Sequence, residues 1–286
     1  MCSMLDKLLV VIVLYKTKLE DSSTYRTLKA SLAHYCQKTD LYIYDNSPIK
    51  NSVATCAEFN ITYFWDKGNS GISKAYNAAA AHGMNSNKEW LLLFDQDSNL
   101  PVDYVEVMLR SVMKYDDHSL FVPVLKQEEL ILSPCKFRFM KGNAFKTIEE
   151  GPMSFLNISV FNSGILVRLA LFSVAGGYNE EIRLDFSDHY FISQVKKFQN
   201  EFIVLPVVIQ HELSTHTNDE AKITARFRQY CVGVRAYGKV AGGRAYLFLW
   251  TFLRAAKLAL TYKKFIFITL FFSNYVFSRE QPEDTI

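Results

Sequence analysis

The sequence predicts an α/β fold, a mostly parallel sheet with helices on both faces, followed by a basic, helical, amphipathic C-terminal extension. Three observations carry this reading. Strand-like apolar runs alternate with helix-spaced segments over residues 1–125. Four of the runs end in polar clusters, as strands that feed a ligand-binding edge do. The charge is also divided: residues 1–221 carry a net −5 and residues 222–286 a net +8, although the whole chain of 286 residues is only +3. A composition of 49% hydrophobic and 21% charged residues excludes a disordered or fibrous chain.

The elements follow in order. Residues 8–15 (LLVVIVLY) form a continuous β-branched run, the pattern of a strand buried on both faces. Residues 21–36 have helical spacing at Tyr25, Leu28, Leu32 and Tyr35. A second strand, 41–44, stops at Asp45-Asn46-Ser47-Pro48, and a third covers 60–65. The turn Gly68-Asn69-Ser70-Gly71 leads into an Ala-rich helix, 72–82. Strand 90–94 (WLLLF) ends in Asp95-Gln96-Asp97, and a helix at 102–114 and a strand at 120–124 follow. Residues 126–159 are less regular and are expected to cross over or to form a small antiparallel piece. Regular spacing returns with a strand at 164–167, a helix at 187–198 and a strand at 202–208. These boundaries divide the chain into 1–125, 126–221 and the extension 222–286.

Several function classes are excluded. The run 8–15 is too short for a secretory signal and follows Asp6. Five scattered cysteines without C-x-x-C suggest inert thiols in a reducing compartment. The longest uncharged run, 265–278, is shorter than the ~18–20 residues that span a bilayer. There is no G-x-S-x-G, Walker A or G-x-G-x-x-G motif.

The strand ends carry the chemistry. Asp95 and Asp97, two residues apart after a buried strand, can offer oxygens to a hard divalent cation, Mg²⁺ or Mn²⁺, that also takes diphosphate oxygens. Asp185 and Asp188 share a face if they begin a helix, and a helix N-terminus favours the ionised carboxylate that a general base needs. Either could instead serve as an N-cap. His189 and His216 read as surface or supporting residues, and His34, His82 and His118 have no motif around them.

With these residues in hand, the chain resembles family 2 glycosyltransferases of the GT-A fold, with the similarity greatest to bacterial rhamnosyltransferase-like members. The resemblance rests on Asp45-Asn46-Ser47, GNSGISKAYNAA (68–79), FDQDS (94–98), FNSGILV (161–167), GGYNEE (176–181), LDFSDHY (184–190), His211 and RFRQYCVGVR (226–235), in that order. It implies a nucleotide site in which Asp45 meets the base or ribose and Leu14 and Tyr15 line the base. Asn69, Gly71 and Lys74 would cover the nucleotide. Asp95 would lie near ribose and metal, Asp97 would be the main metal ligand, and His211 a second ligand or a diphosphate contact. Asn162, Ser163 and Gly164 would lie under the sugar or acceptor. The base is expected at Asp188, with Asp185 sharing or exchanging that role. The implied reaction is inverting transfer of a sugar, rhamnose from dTDP-rhamnose being the first expectation, to a lipid-linked surface glycan of the O-antigen or capsule type.

The extension is aromatic as well as basic. In 245–277, Arg254, Lys257 and Lys264 fall within roughly 80° of one another at ~100° per residue, with Lys263 off that arc. One reading lays this segment on the cytoplasmic membrane surface as a peripheral anchor. The other packs it on the catalytic body or on a second copy, as in a homo-oligomer. Arg226, Arg228 and Arg235 suit phosphates of a lipid-linked acceptor. Nucleic acid is not an expected partner, because the body is acidic. Two rival functions remain: a sugar nucleotidyltransferase, though residues 15–18 (YKTK) lack the glycines of a triphosphate loop, and a non-catalytic glycan- or nucleotide-binding protein.

Overall fold

The computed structural model describes residues 2–54, 56–138, 141–211 and 220–277. Helix α1 (Cys2–Leu5) leads into strand β1 (Leu8–Leu14). Every β1 residue is buried: Leu8, Val10, Ile12 and Leu14 enter one core, while Leu9, Val11 and Val13 enter another. That double burial is why no polar residue interrupts the run.

The alternation of strands and helices continues through α2 (Ser23–Leu32), β2 (Thr39–Asp45), β3 (Phe59–Trp65), α3 (Ile72–Asn85), β4 (Trp90–Asp95), β5 (Ser98–Asn99), α4 (Tyr104–Lys114) and β6 (Leu120–Gln127). Ser22 caps α2 by accepting the Tyr25 amide, at 3.2 Å. Helix α2 is shorter than the spacing suggests. Tyr35 packs on the same core, but from a turn in which its amide bonds to the Leu32 carbonyl.

The irregular middle resolves into β7 (Leu130–Ser133), β8 (Cys135–Arg138), β9 (Lys141–Asn143), β10 (Gly151–Ser154) and β11 (Ile158–Ser159). Strands β11, β8 and β9 make a separate antiparallel sheet, one of the two expected outcomes for 126–159. The chain then forms β12 (Leu166–Arg168), α5 (Leu169–Val174), α6 (Ser187–Val195) and β13 (Glu201–His211). Helix α5 has no counterpart among the sequence expectations; its six residues are too few to establish a helical period.

The main sheet has the order β10-β13-β6-β12-β4-β1-β2-β3, with β5 beside β13 and β7 beside β6. It is parallel from β4 through β1 and β2 to β3, whereas β12 runs antiparallel to both β4 and β6. Helices α2 and α4 cover one face through Leu28, Leu32, Tyr104 and Met108. Helices α3, α5 and α6 cover the other through Tyr76, Ala79, Phe172 and Phe191. Both faces are therefore dry, and polar groups can gather only at the strand ends.

Three further helical pieces follow among the described residues: α7 (Glu220–Ala241), α8 (Arg244–Tyr262) and α9 (Ile266–Leu270), the last continuing as a π-helical segment, Phe271–Val276. They share a core of Phe227, Tyr230, Val234, Leu247, Phe267 and Phe271. Helix α7 also packs on α6, where Gly233 lies so close to the chain that a Cβ there would sit 2.5 Å from the Asp185 carbonyl oxygen.

Candidate active site

The sheet register brings the polar strand ends together. Strand β1 lies between β2 and β4, so Leu14 pairs with Asp45 and Val13 with Asp95. The chain winds outward from β1 to β3 and then returns to the other side of β1 at β4. This reversal opens a crevice beyond the carboxyl ends. Antiparallel β12 reaches the same edge from the opposite direction, and its approach delivers Asn162, Ser163 and Gly164. The Gly164 amide bonds to the Leu93 carbonyl at 2.7 Å, and Ser163 Oγ accepts the Asp95 amide at 3.3 Å.

His211 arrives by strand pairing. Strand β13 extends past the expected end at 208, and its last residue, His211, pairs with Ser98 of β5. A register irregularity between Val204 and Val208, around Pro206, accommodates the missing proline amide and lets the strand continue. His211 Nδ1 then lies 3.7 Å from Asp97 Oδ1 and 3.2 Å from Ser98 Oγ. Asp95, Asp97 and His211 each offer one ligand atom, all within 4.8 Å of one another.

The cluster is held from behind. Tyr76 of α3, fully buried, donates its hydroxyl to Asp95 Oδ1 at 3.0 Å. Thr24 and Ser22 at the start of α2 donate to the Asp95 and Gln96 carbonyls at 2.6 and 2.7 Å. Ser98 and Ser163 share a hydrogen bond of 2.6 Å beneath His211. Burial, and next the neighbouring Asp97 charge, push the Asp95 carboxyl up to about 6, against the opposing pull of His211 and Tyr76.

Asp45 is fully buried, and its carboxylate organises the turn behind it. It accepts from the Ser47 amide (2.9 Å), the Tyr63 hydroxyl (2.6 Å), the Asn51 side chain (2.7 Å) and the Asn51 amide (3.3 Å). Burial opposes its ionisation, but the hydrogen bonds from Ser47, Tyr63 and Asn51 outweigh that and hold it below the ordinary carboxylate range. Tyr15 is exposed at the rim, and Gln96 bonds both its amide and its carbonyl. Asp66 shapes the Asn69-containing turn by accepting the Gly68 and Ser70 amides, both at 2.9 Å. Gly71 has φ +95°, and a Cβ there would collide with Arg183, so this turn requires glycine. Lys74 is exposed on the first turn of α3.

Asp188 sits in the first turn of α6, as expected, and its Oδ1 accepts the His189 amide at 2.7 Å. Its second oxygen has no hydrogen-bond partner among the described residues. Its charge reaches Asp95, contributing to the upward push there. Asp185 differs: Arg226 of α7 spans both its oxygens, at 3.2 and 3.5 Å. Neither carboxylate caps the helix, because the N-cap is Phe186, in a left-handed conformation (φ 76°) and without a side-chain bond. Asn162 links this loop to β12 by bonding Ser187 Oγ and the Tyr178 hydroxyl.

The remaining expected contacts divide. Arg235 is half-buried on α7. Arg228 projects about 200° around α7 from Arg226 and lines a groove with Glu220 and Lys264, so it is not brought to the carboxylates. Arg226, singled out only as one of three arginines, makes the direct link. His189 is no surface residue: it is stacked on Phe137 at 3.8 Å and bonded to Ser159 Oγ at 2.7 Å. His216 lies outside the described residues. Tyr76, Thr24 and Ser98 were not anticipated, because an internal tyrosine and two small hydroxyls carry no spacing signal.

Comparison with known proteins places this geometry. No curated protein matches the chain significantly. Among solved structures, similar ones include the mannosyltransferase PcManGT from Pyrobaculum calidifontis in complex with GDP-Man and Mn²⁺. It is 13% identical, with a TM-score of 0.54 over 96% of this chain and 88% of that one. S. aureus TarS 1-349 in complex with UDP-GlcNAc is 12% identical, with a TM-score of 0.52 over 86% and 70%. GalNAc-T7 with UDP, GalNAc and Mn²⁺ is 11% identical, with a TM-score of 0.53 over 78% and 47%. The chain thus has the fold of the GT-A glycosyltransferases, and its residues 10–148 match the glycosyl transferase family 2 model.

Proposed function

We propose that this chain transfers a sugar from a nucleoside diphosphate sugar to an acceptor hydroxyl, with inversion at the anomeric carbon. The observation that carries the reading is the Asp95–Asp97–His211 cluster at the switch point of the sheet, with Asp188 near enough for its charge to act on Asp95. The family match over 10–148 and the nucleotide-sugar complexes of proteins sharing the fold support it.

The donor set fits a divalent cation. Two carboxylates and one imidazole suit Mn²⁺ or Mg²⁺, and the raised Asp95 pKa reflects burial first and the adjoining Asp97 charge second. Such an ion, when bound, would offset the negative charge that grows on the departing diphosphate. Asp97 is its main ligand in this reading, with Asp95 and His211 completing the protein's share. Ser98 orients the His211 ring through Nδ1, the nitrogen that also lies 3.7 Å from Asp97 Oδ1.

The chain's own residues do the rest. Tyr15 lines the base, backed by Leu14 in the core, and Asp45 accepts a base or ribose proton in exchange for one of its Asn51 bonds. Asn69, Gly71 and Lys74 close over the nucleotide, and the Lys74 ammonium offsets phosphate charge. Asn162, Ser163 and Gly164 form the floor, their polar groups committed to protein partners. Asp188 takes the proton of the acceptor hydroxyl as its oxygen bonds to the anomeric carbon and the bond to the diphosphate breaks. Asp185, held by Arg226, positions that loop.

The finer reading is dTDP-rhamnose as donor and a lipid-linked surface glycan as acceptor, presented at the cytoplasmic face of a membrane, with Arg235 on the acceptor side. It is supported by the rhamnosyltransferase-like motifs and the basic extension. Asp188→Asn tests the base. Turnover should fall by roughly 10²–10⁴-fold with donor affinity unchanged. Near-normal turnover would move the base elsewhere.

A further inference from the structure

Helix α8 wears its apolar residues on the wrong side for a helix that faces water. Leu247, Thr251 and Ala255 are buried against the other C-terminal helices. Leu249, Leu253 and Leu260 fall within about 40° of one another on the opposite face, at ~100° per residue. All three are exposed, Leu260 at 79%. The outward stripe of α8 is therefore as apolar as its packed one, whereas a water-facing helix places charges there. The pattern recurs at the end of the described chain. Phe265 (77% exposed), Phe272 and Phe277 (71% exposed) line one shallow groove with Ile268 and Thr269. Scattered exposed leucines need no explanation, but this concentration of large apolar side chains does.

The charge around the patch selects what would cover it. Residues 221–277 contain ten Lys/Arg and no Asp/Glu. Lys257, Lys263 and Lys264 lie at the C-terminal end of the leucine stripe, all exposed. Lys264 is tied to Glu220, which leaves Lys257 and Lys263 facing solvent. No helix among the described residues is long and apolar enough to cross a membrane, so insertion across the bilayer is not the geometry in question. A short apolar face bordered by lysines matches a surface that is apolar beneath and anionic above.

We infer that the outward face of α8 and the Phe265–Phe272–Phe277 patch dock on an anionic lipid bilayer, with the leucines and phenylalanines entering the headgroup boundary and Lys257 and Lys263 meeting lipid phosphates. The inference rests on the C-terminal helices alone and does not depend on the sugar-transfer reading. It changes the role of the extension. Helix α7 touches the Asp185 loop on one side and carries α8 on the other, so a bilayer bound by α8 would fix the active site at a set position relative to the membrane.

The test is co-sedimentation of the full chain with vesicles of phosphatidylglycerol and phosphatidylcholine, and with phosphatidylcholine alone. Binding to the anionic vesicles should be roughly tenfold or more tighter, and should weaken as salt rises. The variant Leu249→Gln/Leu253→Gln/Leu260→Gln and the variant Lys257→Glu/Lys263→Glu should each lose most of it. These positions are exposed, so both variants should keep wild-type circular dichroism and nucleotide affinity, which would separate lost docking from lost folding. Vesicle binding that both folded variants retain would overturn the inference. So would a wild-type chain that ignores vesicles and instead forms dimers in sedimentation velocity that the leucine variant abolishes. That result would make the face an interface between copies.

Discussion

Burying Asp95 beside Asp97 sets two carboxylates against each other in the metal-free chain. The Asp95 carboxyl rises from 3.8 to about 6, so the folded chain holds this proton more tightly than the unfolded one. The resulting penalty is absent below about pH 4, grows between the two values and is complete above about pH 6. Asp95→Asn removes it. In chelator, that variant should be more stable than wild type by about 1–3 kcal/mol at pH 8, with the gain fading toward pH 4 in urea melts. A gain independent of pH would point to packing instead of charge. Ser98 acts through another residue: it orients His211. Ser98→Ala should weaken Mn²⁺ affinity by roughly 10-fold in calorimetry while leaving the fold intact. At this scale the sequence was legible where a motif stood in one run, as in Asp95-Gln96-Asp97. It was illegible for Tyr76, Thr24 and Ser98, whose roles depend on which neighbour the fold supplies.

Helix α7 shows how one element can enter the site from far along the chain. Arg226 spans Asp185, and Gly233 rests against the Asp185 carbonyl oxygen. Gly233→Ala would have to push α7 off that loop or shift the loop itself. We expect a stability loss of about 1–3 kcal/mol and a fall in turnover with nucleotide and Mn²⁺ affinities near wild type. Affinities falling in parallel with turnover would show a general disruption. The element pattern was readable wherever burial on two faces wrote an unbroken apolar run, as in β1 and β4. It found β13 but ended it at 208, whereas the bulge around Pro206 lets the strand run on to His211. Across 126–159 it gave only the choice of a crossover or a small antiparallel piece, because strands of two to four residues leave too few positions for alternation to register.

The whole molecule divides its charge by position. The acidic body gathers carboxylates at the edge where four parallel strands end, and the basic extension stacks three helical pieces beside that edge. Composition exposed this division before any fold was known, but not the junction between the two parts, since nothing in sequence spacing pairs Arg226 with Asp185. Both faces of the sheet are sealed by helices, so the crevice beyond β1 and β4 is where polar chemistry can collect. The account therefore stands on Asp97 as the residue that couples metal to donor. Isothermal titration of nucleoside diphosphate sugars, dTDP-rhamnose first, into wild type and Asp97→Ala, each with and without Mn²⁺, tests it most directly. Wild type should bind a donor roughly tenfold or more tighter with Mn²⁺ than without, and Asp97→Ala should lose that increment while keeping its melting curve. Donor and Mn²⁺ affinities left unchanged by Asp97→Ala would contradict it.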